Sequence, residues 1–307
     1  MFVWVQEDAI KLAFGDEKPS DVLLAKIKEN KPGLMDILRR NGILSKHDFW
    51  ETEIFSLPNT GATLSFAQER MLFIEQFEQG TDAYHIPYTV ELSSDIQQDV
   101  LIQAFQAVVD RHPVLNSIYK QNEEGQFALH PLDQKVCISQ QVAADFADFK
   151  TQLSQAIERP FDLSTEAPMR LSQFTSEGKH YLLILWHHIA FDGWSTDIFL
   201  RELSQAYQTL LTQGRPSQQG QPVLPPLAIQ YSDYAFWQRH QLEGKGLESQ
   251  MTFWSDTLSG CQTLDLPTDH PRPTKVNYQG RNVALTLDSA LSEQLKTLAR
   301  DQDTTLY

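Results

Sequence analysis

The residues of this chain best suited to chemistry are two adjacent histidines followed at short range by an acid and a glycine: His187-His188-Ile189-Ala190-Phe191-Asp192-Gly193. An imidazole held beside a cleft accepts a proton near neutral pH, or orients a nucleophile by a hydrogen bond. Neighbouring residues of an extended chain point to opposite sides, so the pair predicts one working histidine and one packed histidine. No cysteine or carboxylate pair lies nearby at zinc spacing, and no metal site is expected. Asp192 follows closely enough to brace the loop, and Gly193 lets the backbone turn or approach a ligand. The competing reading is a pair of packed histidines with no chemistry at all.

The elements that must position these residues follow from patterning. Tyr181-Leu182-Leu183-Ile184-Leu185-Trp186 is short and continuously apolar, which predicts a strand buried on both faces. Ser195-Thr196-Asp197 predicts a helix start, continued by Ile198, Phe199, Leu203, Ala206, Leu210 and Leu211 as far as Gly214. Upstream, residues 65–77 have helical periodicity and carry Arg70, and residues 95–111 form a helix with Val100, Leu101, Ala104, Phe105 and Val108 on one face. Strands are predicted at 88–92, 114–119, 126–130 and 169–175, with a helix at 146–157. Strands interleaved with helices make an α/β sandwich. Beyond a Gln-, Gly- and Pro-rich loop at 215–226, helices are expected at 231–240 and 292–300, with a strand at 283–287.

The first 42 residues read differently. Phe2-Val3-Trp4-Val5-Gln6 and Ala9-Ile10-Lys11-Leu12-Ala13-Phe14 predict a hairpin, Ser20 caps a helix bearing Lys26, Lys28 and Lys31, and Pro32 opens a second helix. Two readings stand for this segment: an extension lying against the main body, or a small separate module whose exposed strand edge, beside lysines, can accept another strand. Residues 1–50 balance 8 Lys/Arg against 8 Asp/Glu, so the remaining chain carries the whole net charge of −15. That acidity argues against a nucleic-acid surface. The two cysteines, Cys137 and Cys261, form no motif and suit a reducing compartment. No apolar run approaches the length of a membrane span and no signal-peptide core follows Met1, so a soluble cytoplasmic protein is expected.

HHxxxDG, standing here as His187–Gly193, resembles the active-site motif of the condensation domains of nonribosomal peptide synthetases, which is shared with the chloramphenicol acetyltransferase superfamily. Three further stretches match in order. Leu64-Ser65-Phe66-Ala67-Gln68-Glu69-Arg70-Met71-Leu72-Phe73 resembles SxAQxRLW, Arg111-His112-Pro113-Val114-Leu115-Asn116-Ser117-Ile118-Tyr119 resembles RHxxLRTxF, and Tyr231-Ser232-Asp233-Tyr234-Ala235-Phe236-Trp237-Gln238 resembles YxDYAxW. Asn116 stands where the second motif has its second arginine, and Met71-Leu72 where the first has Leu-Trp. The head resembles the β-hairpin docking domain at the N-terminus of some synthetase subunits, without the helix that usually precedes the hairpin.

The resemblance implies a chloramphenicol-acetyltransferase-like lobe with a small ββαα docking module. It divides the chain into a docking domain at 1–42, a linker at 43–63, the N-terminal lobe at 64–230, and a crossing helix with the first elements of a second, incomplete lobe at 231–307. It implies amide formation between aminoacyl or peptidyl thioesters carried on phosphopantetheine arms, with no directly bound cofactor. His188 would act on the acceptor amine, as base or by positioning it. His187 would be structural, and Asp192, paired with Arg70, would fix the loop. Gly193 would leave room for the pantetheine arm, with Trp194 and Ser195 supporting the site. The implied partners are carrier proteins, the synthetase's adenylation domain, and the acidic C-terminal tail of the preceding subunit. That tail would meet Val3, Val5, Lys11, Lys26, Lys28 and Lys31. Neither nucleic acid nor membrane is implied. Thr196 stands where an epimerisation domain has tryptophan, and a heterocyclisation domain has aspartates in place of the histidines. The alternatives are a chloramphenicol-type acyltransferase and a docking fragment that catalyses nothing.

Overall fold

The computed structural model describes residues 2–13, 18–40, 43–45, 48, 54, 56, 63–77, 82–121, 125, 127–213, 223–271, 274, 283 and 285–306. The linker expectation at 43–63 and the helix stop at Gly214 fall largely outside them. By compactness the chain divides into residues 1–264 and 265–307.

The first unit opens with strands β1 (Phe2–Gln6) and β2 (Ala9–Ala13), paired antiparallel from Phe2↔Ala13 to Gln6↔Ala9. Glu7 takes a left-handed conformation (φ 56°) to close so tight a turn. Helices α1 (Asp21–Glu29) and α2 (Lys31–Arg40) follow, and Ser20 accepts the Leu23 N–H as the α1 cap. Arg39 ties α2 to the hairpin turn through the Glu7 carbonyl (2.9 Å) and the Asp8 carboxylate (2.7 Å). The expected ββαα order is present, with one correction. Val5, expected to face a partner, is 2% exposed, and its N–H donates to the Ile43 carbonyl. A lone hairpin must bury one face, and Val5 lies on it. Val3 is half-buried, while Lys11, Lys26, Lys28 and Lys31 are exposed.

The larger part of this unit is built on a four-stranded sheet. In order across the sheet its strands are β3 (His85–Leu92), β8 (Lys179–His187), β7 (Met169–Ser176) and β6 (Ser139–Val142). The β6–β7 pair is parallel and the other two are antiparallel. A two-residue turn joins β7 to β8, with Glu177 and Gly178 both at positive φ (52° and 76°), the geometry that matches strand twist. A separate hairpin pairs β4 (Ser117–Gln121) with β5 (Phe127–Pro131). A 3₁₀ turn, Pro113–Asn116, stands where the start of a strand was expected; proline at its first position removes a ladder donor.

Strand β8 is buried on both faces, as its apolar run predicted. Leu182, Ile184 and Trp186 enter a core formed with α4 (Gln98–Arg111) and α6 (Gly193–Gln213). Leu183 and Leu185 enter a second core with Leu64, Tyr119, Phe174, Leu72 of α3 (Phe66–Phe77) and Phe149 of α5 (Phe146–Glu158). Two apolar layers around one sheet give the α/β sandwich. Helix α7 (Tyr231–Gln241), expected as a crossing helix, lies in this unit, as does α8 (Lys245–Thr257). Its physical anchors are Gln230 donating to the Arg111 carbonyl, Gln238 accepting from the Phe66 N–H, and Arg239 donating to the Leu64 carbonyl.

The unit at 265–307 contains α9 (Ser289–Asp301), capped by Asp288 through the Leu291 N–H (2.8 Å). Val283 and residues 285–287 form no strand, contrary to expectation, and Val283 and Leu285 are exposed. A strand needs a ladder partner, and none faces them among the described residues.

Trp186 is fully buried, stacked on Phe191 at 4.0 Å and edge-on to Phe199. Trp186→Ala is expected to cost about 3–5 kcal/mol in chemical denaturation, through lost burial and the cavity left behind. Trp186→Phe should cost much less, because the indole N–H has no partner among the described residues to lose.

Candidate active site

The end of β8 separates the two histidines as alternation requires. His187 is the last strand residue and fully buried, on the same face as Leu183 and Leu185. His188 is exposed in the turn that follows. Both backbone N–H groups are held: His187 donates to the Pro168 carbonyl (2.9 Å) and His188 to the Tyr84 carbonyl (2.8 Å). The His187 ring sits among Tyr84, His85 and Phe161, with ring centroids 5.7–6.2 Å away. Burial lowers the pKa of His85, partly offset by its hydrogen bond to the Ile157 carbonyl. The His188 ring has no hydrogen-bond partner among the described residues. It borders a cleft of about 280 Å³ lined also by Ala67, Met71, Val114, Asp192 and Tyr231.

The structure corrects the expected role of Asp192. No ion pair joins it to Arg70, which is exposed. Instead, the Asp192 carboxylate accepts both the Ser195 N–H (2.9 Å) and the Ser195 hydroxyl (2.6 Å). Asp192 is thus the N-cap of α6, which starts at Gly193 rather than at Ser195. A negative charge at that end also complements the helix dipole. A Cβ on Gly193 would meet open space, so no neighbouring protein atom demands glycine there. Trp194 is 89% exposed and packs against no core.

What holds the loop is a set of residues to which the sequence patterning assigns no role. The Gln68 amide, on α3, donates to the Ile189 carbonyl (3.2 Å) and to the Tyr119 hydroxyl (3.4 Å). Its carbonyl accepts the Ser65 N–H, and the Ser65 hydroxyl in turn meets the Gln68 N–H and the Tyr231 hydroxyl (3.0 Å). Burial raises the Tyr119 and Tyr231 pKa values, more than their hydrogen bonds lower them, so both remain phenols at neutral pH. The signal was available in α3. Gln68, Leu72 and Glu75 recur at i, i+4 and i+7, a face on which two polar residues flank a buried leucine. Arg70 falls off that face.

The second motif does not reach the cleft except through Val114. His112 meets Glu202 of α6 at 2.7 Å, and Arg111 approaches the same carboxylate at 3.8 Å, joining α4 to α6. Among the described residues no group of three or more His, Cys, Asp or Glu is placed to hold a metal ion, and no helix is long and apolar enough to cross a membrane.

Asp192→Ala is expected to lower stability by about 0.5–2 kcal/mol through loss of the cap. Arg70→Ala should stay within about 0.5 kcal/mol of the parent, as an exposed side chain does. Urea denaturation of the two variants measures both, and an equal, large loss in each would require the missing ion pair.

The sequence model of the condensation domain matches residues 59–307. The chain is 36% identical over 247 residues to N-(5-amino-5-carboxypentanoyl)-L-cysteinyl-D-valine synthase of Amycolatopsis lactamdurans, covering 80% of this chain and 6% of that protein. It is 37% identical over 251 residues to malpinin synthetase of Mortierella alpina, covering 80% of this chain and 3% of that protein. The chain therefore spans a small part of these relatives' length. Among solved structures it is similar to the X-domain from teicoplanin biosynthesis (TM-score 0.68, 26% identity, covering 82% of this chain and 56% of that one). It also shares the fold of the first condensation domain of the CDA synthetase (TM-score 0.59, 18% identity, covering 81% of this chain and 59% of that one). A buried histidine and an exposed one at the end of a central strand, in a chain matched by that family along most of its length, have one consistent assignment: the chain belongs to the condensation domain family of nonribosomal peptide synthetases.

Proposed function

We propose that this chain contributes the histidine-bearing lobe to amide formation between two carrier-bound acyl thioesters. The observation that carries the proposal is the asymmetry of the pair: His187 is buried and bonded, whereas the His188 ring borders the cleft without a partner among the described residues. An acceptor amine beside His188 finds a hydrogen-bond acceptor that either takes its proton or aligns it for attack on the donor thioester. The nitrogen adds to the thioester carbonyl carbon, the tetrahedral intermediate collapses with cleavage of the C–S bond, and the thiolate of the donor's carrier arm leaves and takes up the proton that the amine gives away. The open space at Gly193 suits approach of a phosphopantetheine arm, which arrives as part of the substrate. Carrier proteins and an adenylation domain are the partners this chemistry needs.

The head suits a second task, docking of the acidic tail of a preceding subunit. Among the described residues no backbone hydrogen bond reaches the outer edge of β2, which leaves it able to pair with an added strand. Lys11, Lys26, Lys28 and Lys31 stand exposed for its carboxylates.

In a complete synthetase module, His188→Ala is expected to lower the rate of amide formation by about 10²–10⁴-fold without loss of folding. A folded variant that condenses at the parent rate would refute the assignment. For the head, Lys26→Glu with Lys28→Glu should weaken binding of an acidic tail peptide in calorimetry, and added salt should weaken binding to the parent. Unchanged affinity in the double variant would move the docking surface elsewhere.

A further inference from the structure

The carboxylate of Glu75 does not line the cleft, and its side chain is 14% exposed. Its Oε1 is 3.3 Å from His187 Nε2. On the other side of the same ring, the Ile189 N–H donates to Nδ1 at 3.1 Å. That bond fixes the chemistry of the ring. Nδ1 must carry the lone pair, so the proton of a neutral imidazole sits on Nε2 and points at Glu75. The same residue is held again one peptide unit on, where the carbonyl of Ile189 accepts from Gln68. Ile189 is therefore fixed at both of its backbone polar groups, by its N–H through the His187 ring to Glu75 and by its carbonyl to Gln68, and both anchors are side chains of α3. His188 lies between the two residues so held, His187 and Ile189.

We infer that Glu75 is a positioning residue for the reaction at His188, acting through the tautomer of His187. Without an acceptor at Nε2, its buried N–H is left unpaired, and the ring escapes that cost only by turning or by moving its proton to Nδ1. Either change takes the Nδ1 lone pair from the Ile189 N–H, which is then the unpaired donor. The loop would turn to satisfy it and carry His188 with it. Misplacement of a reacting group by about 1 Å is enough to slow a reaction by ~10²-fold. This rests on the reading of His188 given under Proposed function, but the state of His187 is measurable without any turnover.

The experiment pairs Glu75→Leu, which removes the acceptor, with Glu75→Gln, which keeps an acceptor oxygen and removes the charge. On this chain, ¹⁵N shifts of the His187 ring and hydrogen exchange of the Ile189 amide report the loop. In the complete synthetase, kcat and KM for amide formation report the reaction. The parent is expected to show a single tautomer with the proton on Nε2 and a protected Ile189 amide. Glu75→Leu should lose both, with kcat lowered ~10–100-fold and KM little changed, while Glu75→Gln restores the tautomer and most of kcat. A parent proton on Nδ1 overturns the inference whatever the variants do. So does a folded Glu75→Leu chain that keeps the tautomer and Ile189 protection, or a Glu75→Gln chain as impaired as Glu75→Leu. A synthetase that retains the tautomer pattern yet forms no amide leaves Glu75 as the fixer of the loop and refutes the amide-forming role of His188 instead.

Discussion

The Gln68 carboxamide is the contact on which the rest of the site depends. A primary amide with almost no solvent exposure must find partners for its carbonyl and its N–H groups, because water is not there to supply them. Gln68 finds them in the Ser65 N–H, the Tyr119 hydroxyl and the Ile189 carbonyl. Those partners belong to the start of α3, strand β4 and the histidine loop, and Ser65 adds α7 through Tyr231. One side chain thus obliges segments from four parts of the chain to meet in a single arrangement. Apolar packing around β8 brings these elements close, but it tolerates small shifts. The amide network does not, and a fixed geometry at His188 follows from it.

Charge is used elsewhere, to join helices and loops away from the cleft. Glu202 of α6 takes His112 and Arg111 from the end of α4, and Arg170 is bound by both oxygens of Glu166 and by the carbonyls of Arg159 and Pro160. Burial, the largest single influence, favours the neutral acid of Glu166, but the Arg170 bonds, the Asp162 N–H and the charges of Arg170 and Arg159 together hold its pKa below the ordinary value. Arg170 also covers the ring of Phe161, which packs against His187. The turn Arg159–Leu163 therefore acts as one wall of the histidine pocket, a packing role in keeping with its lack of reactive groups.

The sequence made β8 and its flanking helices legible because burial on both faces leaves an unbroken apolar run and amphipathic helices leave a period. It concealed β6. Ser139-Gln140-Gln141-Val142 has no apolar alternation, since an edge strand bonded to β7 alone needs only its backbone. The start of α6 was obscured by rival capping residues: Asp192 and Ser195 both carry suitable oxygens, and only the fold shows Ser195 donating to Asp192. The histidine asymmetry was readable from strand alternation. The bracing of their loop was not, because a conspicuous arginine in a motif drew attention to charge while the neutral Gln68 made the contacts. Periodicity on α3 separates the two, and it places Gln68 and Glu75 together on the face turned from Arg70.

The place of β8 between β3 and β7 has a kinetic consequence. β7 and β8 are joined by a two-residue turn, so that hairpin closes locally and early. β3 emerges long before its partner and waits while β4 to β7 are made, and its pairing with β8 closes a long stretch of chain. The Tyr84 carbonyl that anchors His188 sits immediately before β3. The histidine turn therefore cannot reach its final form until this late, non-local pairing is complete. During synthesis the newly made β8 presents an open, strongly apolar edge, which makes the interval before β3 docks the moment when this lobe is most exposed to aggregation.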